Sequence, residues 1–161
     1  MPETDPDSEP TGAAAPRRMT HDYAKLHLCF GWWQLLAFLT LGIALEVMHG
    51  IKLGWYLDVD NETRRLMLTL AHTHGTLLGL VNLAFSWTVT RLPEWKASQL
   101  KIASWSLLAA SLLMPLGFLL GGLFPYIGDP SLGILLLPAA AVFLLVAVLL
   151  TAIAASRQKE G

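Results

Sequence analysis

The sequence predicts an all-α, polytopic membrane four-helix bundle with both termini in the cytoplasm, and three observations carry that prediction. Of 161 residues, 54% are hydrophobic and only 14% charged, with a mean hydropathy of +0.52, a balance that soluble domains do not show. The charges are also unevenly placed, since residues 26–48 hold one acid, Glu46, and no Lys or Arg. Four apolar runs, roughly residues 25–48, 66–90, 100–124 and 132–155, each reach the ~20 residues needed to cross a ~30 Å hydrocarbon layer.

The chain opens with a segment, residues 1–20, that is rich in Pro, acids and small residues and too poor in apolar surface to pack, so a disordered cytoplasmic tail is expected. The apolar run that follows is longer than a signal-peptide core and no Ala-x-Ala site closes it, which makes it a first membrane span. The transmembrane domain then covers residues 21–156, with a short cytoplasmic tail at 157–161. Pro93, Pro125 and Pro130 fall in the connections, where helices must stop, whereas Pro115 and Pro138 fall within spans and predict local kinks.

Orientation follows from the basic residues. Arg17, Arg18, Lys25, Arg91, Lys96, Lys101, Arg157 and Lys159 fall on one side of a four-span chain, and Lys52, Arg64 and Arg65 on the other. The positive-inside tendency places the first set, and both termini, in the cytoplasm, with a bacterial inner membrane as the expected location. Trp32, Trp33, Trp55, Tyr56, Trp95 and Tyr126 lie near the ends of the expected helices, where amphipathic rings favour the headgroup layer.

Several function classes drop out. A net charge of -1 leaves no polybasic surface for nucleic acid. The single cysteine, Cys29, permits neither an intrachain disulfide nor a Cys-x-x-Cys site. No nucleophile elbow, Walker loop or dinucleotide fingerprint is present, which disfavours hydrolase and nucleotide chemistry.

What remains informative is where polar residues sit inside the spans, because a His or Glu in hydrocarbon normally faces the bundle interior, pairs, or binds something. At about 100° per residue, His27, Gly31, Gln34, Phe38, Gly42 and His49 fall within a band of roughly 80° on the first helix, and Glu46 widens it to roughly 120°. On the second helix His72, Gly75, Gly79, Asn82 and Ser86 recur at three- and four-residue spacing, with Gly75-x-x-x-Gly79 allowing close backbone approach. A polar seam between the first two helices is therefore expected. His74 lies about 200° from His72, so the two rings serve opposite sides of the helix. Ser104, Ser106 and Ser111 on the third helix, with Gly117-x-x-x-Gly121, and the almost wholly apolar fourth helix read as scaffold.

Each candidate in the seam has a functional reading and a bland one. Glu46-x-x-His49 has the spacing that puts carboxylate and imidazole on one helix face, as in carboxylate metal bundles, although one such motif is half of a dinuclear site. The bland alternative puts both at the outer interface, hydrated or paired with Arg64 or Arg65. His72 is deeper and beside glycines that leave room for a flat ligand, and imidazole suits haem iron, copper and zinc. Its bland alternative is a hydrogen bond to a carbonyl, to Gln34 or to Thr76. With a tilt or an offset of one turn, Glu46, His49 and His72 would converge in the outer half. The bland alternative for His74 is that it faces the third or fourth helix or a lipid-exposed water defect, and His27 is expected to be an interfacial histidine at the cytoplasmic end.

The segment Leu70-Ala71-His72-Thr73-His74-Gly75-Thr76-Leu77-Leu78-Gly79, running on to Arg91-Leu92-Pro93, resembles a helix of small four-helix bacterial membrane proteins. These in turn are similar to the histidine-bearing helices of haem-copper oxidase subunit I, especially of the cbb3 type. The resemblance covers about 25 residues and implies haem ligation by His72 or His74. The further helices and histidines of a haem-copper centre are not in this chain, so oxygen reduction is not implied.

The leading expectation is a small membrane protein binding haem b or a metal ion, with no cofactor as the alternative. His72, His74 and His49 are the cofactor candidates, and His72, His49 and Glu46 the metal candidates. Partners are expected to be the lipid bilayer, an oxidase-like or other membrane subunit, or a second copy through the Gly-x-x-x-Gly faces. The competing reading is a non-catalytic structural or interaction subunit, and a third is a proton or small-solute channel through Glu46 and His72.

Overall fold

The apolar runs fold as helices because in hydrocarbon every backbone polar group must be satisfied within its own segment. The computed structural model describes residues 11–58, 62–92, 95–125 and 129–157. Among these, α1 spans Thr11–Gly50, α2 Glu62–Arg91, α3 Ala97–Leu123, a short 3₁₀ segment Leu132–Leu135, and α4 Leu136–Ser156. Four stretches, Arg18–Gly50, Glu62–Arg91, Ala97–Leu123 and Leu132–Ser156, are long and apolar enough to cross a membrane.

The first three helices are longer than the apolar runs suggested. α1 carries helix back to Thr11, through the second half of the segment expected as a tail; residues 1–10 of that tail lie outside the described residues. Beyond its end, Lys52 N–H bonds to the His49 carbonyl and Leu53 N–H to that of Met48. Lys52 takes the left-handed conformation (φ 53°) that such a C-terminal cap requires and that glycine usually supplies. Pro115 sits in an unbroken α3. Pro138, in contrast, falls in the first turn of α4, where its missing N–H costs no helical bond, and the expected fourth span is divided there into a 3₁₀ entry and an α-helix.

Consecutive helices pack antiparallel. α2 lies against both α1 and α3, whereas α4 packs on α3 and approaches neither α1 nor α2 closely, so α1 and α4 form the two edges. Glycines set the close approaches: a Cβ on Gly79 would meet Leu35 and the Gly31 carbonyl, and one on Gly117 would meet the Gly133 carbonyl. Both Gly-x-x-x-Gly pairs are thus engaged within the chain. The apolar core is thickest toward the termini, where Ala24, Phe85, Val89, Trp95, Leu100, Ala103, Leu107 and Ala147 pack together. A smaller cluster of Leu45, Tyr56 and Leu68 lies toward the α1–α2 loop.

The aromatic residues divide differently from the expected interfacial belt. Tyr56 and Trp95 are buried in these two cores. Trp32 and Trp33 are exposed, but α1 extends far beyond them at both ends, so they lie in the middle of the span. Trp55 stays at a helix end, with the Arg64 guanidinium 4.6 Å above its ring. Trp87, which the spacing did not single out, is exposed near the end of α2 with Arg91 4.9 Å over its ring. Tyr126 lies outside the described residues.

Candidate functional site

The polar seam between α1 and α2 exists, and it extends onto α3. At its centre is Asn82, fully buried. Its Nδ2 donates to the Leu78 carbonyl one turn back and to Ser111 Oγ on α3, both at 2.8 Å, with Gln34 Oε1 more distant at 3.5 Å. With Nδ2 so committed, Oδ1 must be the atom that faces His27, whose Nδ1–H donates to it at 2.6 Å. His27 Nε2 is then the bare nitrogen, and it accepts the Ser104 hydroxyl at 2.8 Å. A neutral imidazole is fully satisfied here, with its ring edge-on to Phe85 at 4.5 Å.

Two further bonds complete the region. Pro115 has no N–H, so the Ser111 carbonyl four residues earlier loses its helical donor. Gln34 Nε2, reaching across from α1, supplies a replacement at 3.1 Å. Ser86 Oγ donates to the Ala24 carbonyl at 2.6 Å, tying α2 to α1 nearer the termini.

His27 therefore corrects the expectation of an interfacial histidine: it is fully buried and joins three helices. The seam expected between the first two helices also takes in α3, since Ser104 and Ser111 are both buried partners in the network. A signal was present in the sequence. His27 and Gln34 are seven residues apart, as are Ser104 and Ser111, so two helices each carry a polar pair at two-turn spacing to flank the single Asn82.

Of the predicted histidines, His72 lies in the other half of the seam. His72, part-buried, donates from Nδ1 to the Phe38 carbonyl on α1 at 2.7 Å, which is the carbonyl partner its bland reading required. Its ring is laid against Gly42, where a Cβ would fall 2.6 Å from Nδ1 and 3.0 Å from Nε2. The Phe38 ring in turn occupies the space that a side chain on Gly75 would need. His74 turns to the opposite side of α2, as its angular position predicts. Its Nδ1–H donates to its own helix, at the Leu70 carbonyl (2.9 Å), and its ring lies against Phe118 of α3 at 4.7 Å.

Glu46 and His49 are exposed at the end of α1, with His49 edge-on to Tyr56 at 6.3 Å. Arg65 pairs with Glu62 instead of Glu46 (3.6 Å), and Arg64 donates to the Trp55 carbonyl (2.7 Å). The expected convergence of Glu46, His49 and His72 is not met: among the described residues no three His, Cys, Asp or Glu side chains are grouped to hold a metal ion. The physical reason is that His72 is held against α1 below the level at which Glu46 and His49 emerge from the seam.

No family model, curated protein or solved structure matches this chain. The chemistry available to this region is therefore read from its own atoms, which are hydrogen-bond donors and acceptors largely paired with one another or with backbone carbonyls, plus the buried Thr76 hydroxyl and the Nε2 atoms of His72 and His74, which have no hydrogen-bond partner among the described residues.

Proposed function

We propose that the protein is a non-catalytic integral subunit of a bacterial inner-membrane complex, with both termini in the cytoplasm. Its buried polar seam holds α1, α2 and α3 together, and the outer faces of α1 and α4 meet lipid and a membrane partner. The observation that supports this is the network of His27, Gln34, Asn82, Ser104 and Ser111, whose hydrogen bonds run between three helices. The excess of Lys and Arg on the terminal side supports the orientation. The test is unfolding of the purified protein in mild detergent. A packing role predicts that His27→Ala and Asn82→Ala destabilise the folded helices; unchanged stability in both variants would contradict it.

A second reading, binding of haem or a metal ion by an intramembrane histidine, is favoured by one specific observation. His72 and His74 each donate Nδ1–H to a backbone carbonyl, which fixes the ring and leaves Nε2 as the bare nitrogen, the tautomer in which metal-bound imidazoles are commonly held. A dithionite-reduced minus oxidised spectrum of protein expressed with ample haem tests it. Sharp Soret and alpha bands support a haem site, and a flat spectrum removes it.

A further inference from the structure

Resting on the first reading, in which the outer face of α1 meets a protein, we infer that this protein is a second copy of the same chain, joined α1 to α1 as a parallel coiled coil. The face concerned is clear of the chain's own helices. Gly31, Phe38 and Gly42 turn α1 toward α2, α1 meets α3 only slightly, and it does not approach α4 closely. On the far side of α1, Cys29, Trp33, Leu36, Thr40, Ile43 and Val47 are all exposed. Their spacing alternates four and three residues, the core pattern of a heptad, so they line the stripe that two supercoiled helices keep between them.

Two observations say what covers this stripe. The first is depth. The span Arg18–Gly50 is centred near Gln34, so Trp32 and Trp33 stand at the middle of the hydrocarbon layer. They are 61% and 71% exposed, and neither indole N–H has an acceptor among the described residues. Tryptophan facing lipid favours the headgroup level; at the bilayer centre it belongs against protein. The second is charge. Asp22 and Lys25 are exposed at the terminal end of α1 and form no ion pair among the described residues, although they are three apart on one helix. Two copies inserted in one membrane share an orientation, so their α1 helices run parallel and equal heights meet across a two-fold axis along the membrane normal. Asp22 of each copy then lies about 4.5 Å in height from Lys25 of the other, within reach of its side chain. The face is therefore its own complement in charge as well as in shape. Both Gly-x-x-x-Gly pairs, in contrast, are engaged within the chain and offer no second joint.

Disulfide mapping with copper phenanthroline, in membranes of cells expressing the full-length chain, tests this. The wild type is expected to form a dimer through Cys29. In a Cys29→Ser background, Leu36→Cys and Ile43→Cys are expected to crosslink likewise. Leu28→Cys and Leu39→Cys, exposed but roughly 80 to 100° off the stripe, should crosslink at least about fivefold less. Asp22→Lys should lower the Cys29 crosslink about twofold or more, and adding Lys25→Asp should restore it. No Cys29 dimer, equal crosslinking on and off the stripe, or indifference to the charge reversal would overturn the second copy as occupant. None of these results bears on the unfolding of His27→Ala and Asn82→Ala, which judges the first reading separately.

Discussion

The half of the seam near the termini and the half near the α1–α2 loop place polar side chains between helices in opposite ways. Near the termini, five side chains from three helices pair chiefly with one another, and Asn82 touches both neighbouring helices. Toward the loop, each histidine is satisfied by one backbone carbonyl, and contact depends on the missing side chains of Gly42 and Gly75. The first arrangement fixes relative rotation and depth of three helices at once. The second joins α1 to α2 by surface shape and leaves Nε2 atoms unpaired.

Substitutions that separate these two modes should differ in size. The largest effect is expected for Asn82→Ala, which removes bonds to His27 and Ser111 and leaves their donor and acceptor atoms buried. With interhelical hydrogen bonds in bilayers averaging ~0.6 kcal/mol and reaching ~1.7, a loss of about 2 kcal/mol is expected in a reversible detergent unfolding titration. Next is Gly42→Ala, whose Cβ would collide with the His72 ring. Overpacking of this kind costs about 1 to 3 kcal/mol, whereas Gly54→Ala, with nothing within 4 Å, should leave the midpoint of the same titration unmoved.

A smaller and more diagnostic effect involves Gln34. Gln34→Leu should cost about 1 kcal/mol by exposing the Ser111 carbonyl to an apolar interior. The same substitution should cost less in a Pro115→Ala background, where the helical bond to that carbonyl is restored. An equal loss in both backgrounds would show that Gln34 does not compensate for the proline. The smallest effect is expected for His74→Ala, below about 0.5 kcal/mol, because no interhelical hydrogen bond is lost. Thermal unfolding monitored by circular dichroism would show it as a transition close to the wild type.

The same two halves differ in how far they could be read from the sequence. Hydropathy located four helices, and the angular positions of Gly31, Gln34, Phe38 and Gly42 located the face of α1 that meets α2. Those are properties of one helix at a time. His27 stands near the start of an apolar run that begins at 25, which reads as a membrane interface, whereas α1 extends to Thr11. Its partners, moreover, are on α2 and α3, and no single-helix argument pairs them. Glu46 and His49 share an angular band with Gly42, yet both are exposed, and a shared band does not establish a shared height with His72. Pro115 was legible as a disturbance of α3; that a glutamine on α1 answers it needed the register of three helices.

The most direct measurement of the central claim, that buried side chains near the termini fasten three helices, is a double-mutant cycle between His27 and Asn82. Unfolding free energies of the wild type, His27→Ala, Asn82→Ala and the double variant would be compared in one detergent system. A favourable coupling of about 1 kcal/mol, within the range measured for buried pairs in membrane proteins, is predicted. Strict additivity of the two substitutions would contradict the claim.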